Sequence, residues 1–513
     1  MTARLFRGTA CALMLLIGLA GVPAPAASAN TLCVNQGGTG GCYGTIVEAV
    51  AAAASGDTIH IAGGPPYLER LSLTKSVSLT GDGPAATIID GNALGQVIRI
   101  TSPITVRLSN LTVRNGLSSA ADITDGAGAG IHNENGNLTL NNVVVSGNHT
   151  GAGNGAEGGL GGGLAIILGQ ATLNDSQVTD NSTGSPIGNP MGGAGGAGAG
   201  IFSSSSDLVL NRTTVSHNFA GAGGSGSDAN GPGGSGGGIA IVQGALVLNN
   251  SSVTENASGN GASSAGLGGD GGRGGGIYSD ETTVIVDHSL ISFNGTGLGG
   301  GSGDLRGFSG SGAGLFVESG IPRQVTITTS TISDNQTGLG LAVAMGGDGG
   351  GLWVGNGVSA LLVNVTLAYN SADSGQTGGG LANHGGSISL KNTLLANNGT
   401  NDEPPILEDC SGGLTSLDYN VLMAPNCSIS QRTNDLFFVS GPVVNVLADN
   451  GGPTQTNALP PGSPAIDAAD NHACPATDQR GLARPAFGGL ALRCDVGAFE
   501  LYRFGLHLPA VVR

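Results

Sequence analysis

From Gly128 to about Asn398 the chain alternates apolar and polar positions in short bursts, each closed by a glycine or an asparagine. Aligned on itself, this stretch is one unit written eight times. GAGIHNENGNLTLNNVVVSGN (128–148) and GGGIAIVQGALVLNNSSVTEN (236–256) are two examples. The leading apolar residues are Ile131, Leu164, Ile201, Ile239, Ile277, Leu315, Leu352 and Leu381, at steps of 33, 37, 38, 38, 38, 37 and 29 residues. Within the fourth unit, period-two alternation predicts three strand pieces, at 239–242, 246–248 and 252–254. It places Ile239, Ile241, Leu246, Leu248 and Val253 on one side. Gly244 and Asn249–Asn250 separate the pieces and tolerate the left-handed backbone that a sharp corner needs. Three strands and three corners make one coil of a triangular solenoid. Stacked coils pair strand to equivalent strand and bury the apolar side in a continuous column. The fold class expected is therefore all-β, a right-handed parallel β-helix, with eight coils giving a rod of about 40 Å at ~4.8 Å per strand.

The asparagine that closes each unit is expected to form a ladder, each amide bonding to the next coil. It also creates N-x-S/T sequons, as at Asn181 and Asn294, which would be glycosylation candidates in a eukaryotic secretory pathway. Periodicity favours the ladder. The third corner carries insertions such as 257–273 and 296–310, almost wholly Gly, Ser, Ala and Asp. Stacking puts them along one edge as a row of glycine-rich fingers, mobile unless neighbouring fingers pack together.

The flanks differ. Arg4, Arg7, the apolar run Ala10–Ala20 and Ala27-Ser28-Ala29 read as a cleaved export signal over 1–29, too short to span a bilayer. No later stretch reaches transmembrane length, so the mature chain is expected to be secreted, without a membrane span. Residues 45–54 (TIVEAVAAAA) predict an amphipathic helix covering the open end of the solenoid. Short strands are expected at 58–61, 71–73, 77–79, 87–89, 97–100 and 106–108. The domain plan is thus a cap and first coils over 30–116, the repeats over 117–400, a C-terminal region over 401–500 and a tail over 501–513. Six cysteines remain after the signal, all outside the repeats and in neighbouring couples. The expected disulfides are Cys33–Cys42, Cys410–Cys427 and Cys474–Cys494.

Composition narrows the function classes. Glycine is 97 of 513 residues, and without Arg4 and Arg7 the chain has 16 basic against 35 acidic residues, a net charge of −19. That excludes nucleic acid as a partner, which needs a dense basic face. Stacked carboxylates for hydrolysis, or a calcium-holding acid cluster with a basic residue for elimination, are not legible in the repeats. The candidate metal ligands are Asp228, Asp270, Asp304 and Asp348 in the glycine fingers. Asp270 and Asp348 both sit in GGDGG and are the pair that stacking would bring near one edge for Ca²⁺. A solvated aspartate is the favoured reading, so no cofactor is expected. No oriented partner is legible for any histidine, since His132, His217, His288 and His384 occupy different places in the unit. Tyr278 and Trp353 are candidate sugar-stacking residues, with half-buried strand residues as the favoured alternative.

SGDTIHIAGGPPYLERLSLTKSVSLTGDG (55–83) resembles the first coils of the pectin-lyase-like superfamily, and the repeats are similar to those of polymorphic outer-membrane proteins, without their translocator barrel. NVLADNGGPTQTNALPPGSPAIDAAD (445–470), ATDQRGLARP (476–485) and CDVGAFE (494–500) resemble the choice-of-anchor Q region that ends bacterial β-helix surface proteins. The resemblance implies a cell-surface protein whose partners are extracellular polysaccharides or surface components. A non-enzymatic, monomeric rod for adhesion, surface structure or glycan binding is expected. The alternative is a polysaccharide lyase or hydrolase.

Overall fold

A computed structural model describes residues 29–120, 126–153, 157–186, 192–227, 229–264, 267–301, 306–338, 346–486 and 492–502. The expected signal over 1–28, Asp228, Asp304 and the last eleven residues lie outside them.

The fourth coil shows how the repeat becomes structure. Its first two strand pieces form one strand, Ile239–Asn249, and its third is Ser252–Thr254. The strand is not interrupted at the predicted corner. Gln243 (φ 60°) and Gly244 (φ 124°) turn it while pairing continues on both sides. Left-handed residues make the other corners, at Asn250, Glu255 and Gly236; the coils keep glycine at the Gly236 position, while the other two positions vary in residue type. Ile239, Ile241, Leu246, Leu248 and Val253 are all fully buried, as their alternation predicts. Each strand pairs in parallel with its equivalents one coil before and after, as in Leu208↔Leu246↔Val284. Along the second face this register continues through thirteen pairings, from Thr31–Val34 to Ser428–Ile429. At ~4.8 Å per step the rod is roughly 60 Å long, because coils precede and follow the eight repeats.

At the N-terminal end the helix is Ile46–Ala52, capped by the Thr45 hydroxyl on the Glu48 N–H. Both Glu69 oxygens accept its first free amides, Ile46 and Val47, at 2.9 Å. Ile46, Ala49 and Val50 are buried against the first strands. The expected strands at 58–61 and 71–73 are Thr58–Ile61 and Leu71–Leu73, and the last extends to Thr105–Arg114.

The predicted ladder is continuous. Asn148, Asn181, Asn218, Asn256, Asn294, Asn335, Asn370 and Asn398 are buried, and each Nδ2 donates to the next Oδ1 at 2.9–3.0 Å, ending on the Asp409 carboxylate. Backbone groups fix its direction. The Asn218 N–H also donates to Asn256 Oδ1, while Asn256 Nδ2 reaches back to the Val215 carbonyl. The sequon residues Asn181 and Asn294 are rungs, with no exposed amide to carry a glycan.

The C-terminal region folds back along the third face. Outward positions there are Gln177, Thr214 and Ser252 in the early coils, then Leu290, Thr331, Thr366 and Leu394 in register. The later four are buried, where Val443, Val444, Leu459, Ala465, Val496 and Phe499 form a second core with Leu394, Ala396 and Val421. All three expected disulfides are present.

The motifs ATDQRGLARP and CDVGAFE meet in a buried knot of charge. Arg480 pairs with Asp478 at 2.7 Å, and Arg484 with Glu500 at 3.4 Å. Glu500 accepts the Ala486 and Asp495 N–H groups, and Asp495 accepts those of Asp467 and Leu501. Burial, and then the Glu500 charge, push the Asp495 carboxyl up to about 7 from 3.8. A raised folded pKa means the folded state holds a proton that the unfolded chain releases. Its stabilisation is full below pH 3.8 and is lost as pH rises through about 7, a fall of up to about 4 kcal/mol. Urea midpoints at pH 5 and pH 8 should therefore differ more in the native chain than in Asp495→Asn. Equal slopes in the two proteins would contradict this account.

Candidate functional site

The described residues of the third-corner fingers are packed against one another, and their sequence explains how. Two returning arms read as x-Gly-Gly triplets before the leading apolar residue, PGG-SGG at 232–237 and DGG-RGG at 270–275, and others keep the triplet spacing with Ser or Ala in place of some glycines, as in FSG-SGA at 308–313. Three residues per turn without internal hydrogen bonds is the polyproline-II geometry, in which backbone groups must bond to neighbouring chains. They do. Gly233 N–H donates to Asp270 O, Gly271 N–H to Phe308 O, and Gly259, Gly272 and Gly297 N–H groups link outgoing and returning arms in turn. A Cβ on Gly231, Gly269 or Gly307 would lie 1.9–2.1 Å from the carbonyl oxygen of the arm beside it, so only glycine fits. Hydroxyls at Thr183, Ser258, Thr296 and Thr337 pin outgoing arms to returning-arm carbonyls at 2.6–2.8 Å. The fingers form one blade, because every third residue is free to face outward and the other two are packed.

Between the returning arms and the first-face strands runs a groove parallel to the rod axis. One basin, of about 470 Å³, is lined by Asp270, Arg273, Phe308, Asp348, Trp353 and His384, among others. The adjoining basin, of about 440 Å³, shares Asp270, Gly271 and Arg273 and adds Glu157, Pro232 and Tyr278. The blade side presents the outward triplet positions in two columns. Pro232, Asp270 and Phe308 form one, and Ser235, Arg273, Ser311 and Asp348 the other. On the strand side, register brings Tyr278, Phe316 and Trp353 into one column. Their rings stack at 5.5 and 4.2 Å, and His384 stacks on Trp353 at 5.1 Å.

Asp270, Asp348, Tyr278 and Trp353 line these basins, and the two aspartates do not stack as the calcium alternative would have them. Asp270 lies seven residues before its leading Ile277, whereas Asp348 lies four before Leu352. The shared GGDGG string hides that offset, so the two carboxylates occupy different columns. Asp270 accepts the Phe308 N–H at 2.8 Å. Asp348 accepts the Thr377 N–H at 3.0 Å and pairs with His384 Nε2 at 3.0 Å. Among the described residues no three His, Cys, Asp or Glu side chains converge as a metal site. Tyr278 and Trp353 both line the basins and belong to one continuous ring stack. The Tyr278 hydroxyl donates to Glu318 at 3.1 Å, and burial raises its pKa.

Four contributors escaped sequence reasoning. Phe316, Arg273, Phe308 and His384 carry no motif, and only the blade and strand registers assemble them. Arg273 lies 5.2 Å over the Phe316 ring and 3.6 Å from Glu318, with its side chain half exposed. Phe308, 49% exposed, stands on the blade wall of the basin that Trp353 also lines. His384 gains the oriented partner, Asp348, that its place in the repeat does not reveal.

No family model matches the chain, and no curated protein matches it. Solved structures similar to it include the pectate lyase Pel9A, at 11% identity and TM-score 0.34, covering 92% of this chain and 97% of that one. XylC in complex with xylose aligns at 9% identity and TM-score 0.45, over 92% and 98%. The A-module of the mannuronan C-5 epimerase AlgE4 from Azotobacter vinelandii aligns at 13% and 0.34, over 77% and 92%. The likeness is one of fold. The β-helix assignment itself rests on the coil register.

Proposed function

We propose that the protein is an exported, non-enzymatic rod that holds an extracellular polysaccharide along the groove between blade and strands. The observation carrying this reading is the groove itself. Two adjoining basins share Asp270, Gly271 and Arg273, with an exposed Phe308 on the wall and planar polar groups at Arg273, Gln376 and His384. Such a lining offers an apolar surface for a sugar ring and paired donors and acceptors for its hydroxyls. The groove walls already spend their backbone groups on each other, which disfavours an extended peptide adding as a strand. Three disulfides suit an oxidising compartment. The choice-of-anchor-like motifs support a place at the cell surface.

The His384–Asp348 pair favours a second reading, turnover by proton transfer. Against it, Arg273 lies over Phe316, and Trp353 separates Phe316 from His384 at ring spacings of 4.2 and 5.1 Å. That spacing disfavours cation and imidazole acting on one sugar unit.

Affinity electrophoresis against a polysaccharide panel tests the proposal. Phe308→Ala should weaken binding about tenfold, the effect of ~1.4 kcal/mol at an exposed aromatic anchor. Unchanged retardation would remove the groove from consideration. Release of new reducing or unsaturated ends, lost in His384→Gln, would establish the enzymatic reading instead.

A further inference from the structure

Resting on the groove as a polysaccharide site, we infer that its ligand is a largely neutral chain carrying isolated acidic units, rather than one acidic at every unit.

The inference comes from the order of charges along the groove. Read along the rod, one blade column is Ser235, Arg273, Ser311, Asp348 and Thr377, where the N–H of the glycine after each member donates to the carbonyl of the next. Successive members are about one strand spacing apart, ~4.8 Å, so the pattern is neutral, cationic, neutral, anionic, neutral. Asp270 stands one triplet along the same arm from Arg273, about 9 Å of polyproline-II rise away. Glu157 lines the far basin. Among the described residues lining either basin, Arg273 is the one arginine or lysine, and the carboxylates are Asp270, Asp348 and Glu157.

An acidic sugar seated at Arg273 meets a guanidinium held over an aromatic face and in a loose 3.6 Å contact with Glu318. Along the groove the chain then runs past Ser235 in one direction and past Ser311 to Asp348, two coils away, in the other, while Asp270 flanks the Arg273 seat across the arm. A further carboxylate near Asp348 or Asp270 faces like charge, whereas a hydroxyl can donate to it. Ser235 and Ser311, flanking Arg273 in the column, likewise suit uncharged neighbours.

The test uses the purified mature chain and three probes in affinity electrophoresis. These are polygalacturonate, acidic at every unit, gellan, with a single glucuronate per tetrasaccharide, and a neutral mixed-linkage β-glucan. Gellan is expected to bind at least tenfold tighter than either of the others at moderate salt. Arg273→Gln should reduce gellan to the level of the neutral glucan, and Arg273→Lys should restore part of the difference. An unshifted melting curve for each variant shows that the blade is intact. Polygalacturonate binding as tightly as gellan would overturn the inference. So would gellan binding that ignores Arg273→Gln, while loss on Phe308→Ala would still leave the groove itself standing. Failure of all three probes to bind would overturn both readings.

Discussion

Asn256→Leu is expected to destabilise the rod by about 4 kcal/mol and to split its unfolding into two steps. Asn256 is fully enclosed, and its Nδ2 donates to the Val215 and Thr254 carbonyls and to Asn294 Oδ1. Its Oδ1 accepts both the backbone N–H and the Nδ2 of Asn218. Leucine matches its volume but leaves the buried Asn218 N–H and Nδ2 without the Asn256 acceptor and takes a donor from the Val215 and Thr254 carbonyls. Each such orphan costs roughly 1–3 kcal/mol. In a solenoid, stability is close to a sum over neighbouring coils, so damage at one interface uncouples the two sides. Trp353 is the single tryptophan and sits in the later coils. Its fluorescence should follow a different urea transition from the far-UV circular dichroism, which reports all coils. Coincident transitions shifted by less than about 1 kcal/mol would contradict the ladder's role.

Gly269→Val is expected to open the blade while leaving the coils folded. Any Cβ at this position lies 1.9 Å from the Gly231 oxygen and 2.6 Å from its carbon, both parts of a backbone held from two sides. Overpacking of this kind costs about 1–3 kcal/mol where neighbours can yield, and here they are main chain. Relief comes from lifting one arm, which breaks Gly269 N–H to Ala262 O and Gly300 N–H to Gly269 O. Hydrogen exchange at Ala262, Gly269 and Gly300 should quicken by an order of magnitude or more, with Ile239 and Leu246 unaffected. Polysaccharide retardation should fall with it, since Asp270, Arg273 and Phe308 stand on the displaced wall. Gly64→Ala, where a Cβ meets nothing within 4 Å, is the matched control. Unaltered exchange in Gly269→Val would mean that the arms are not packed as described.

The inward residues and the ladder were legible because both follow from a strict period. Ile239, Leu246 and Val253 recur at fixed offsets, and a residue repeated once per coil must meet its own copy. The same logic placed the disulfides outside the repeats, where loops are short and local. The blade was only half legible. Glycine content alone predicts mobility, yet the x-Gly-Gly triplets before Ile239 and Ile277 carried the packed arrangement in plain view. The groove was least legible. Asp270 and Asp348 share a string but not a column, and the column of Arg273 is visible only once arms are counted back from the leading apolar residue.

By itself, then, the sequence determined the coil. Alternation of period two, glycine and asparagine at the corners and an asparagine at each closing corner suffice, since each acts between a residue and its nearest neighbours along or across one step. Only the tertiary structure decided what lies between elements that never adjoin in sequence. The fold-back of the C-terminal region onto the third face depends on contacts across more than a hundred residues, such as Thr331 to Gln479 and Thr366 to Ala498, and the knot that raises the Asp495 pKa joins groups from separate turns of that region. The groove is of the same kind. Its chemistry is set by which outward side chain of a blade faces which ring of a strand, and that choice is made by stacking, not by any local preference of Arg273, Phe308 or His384.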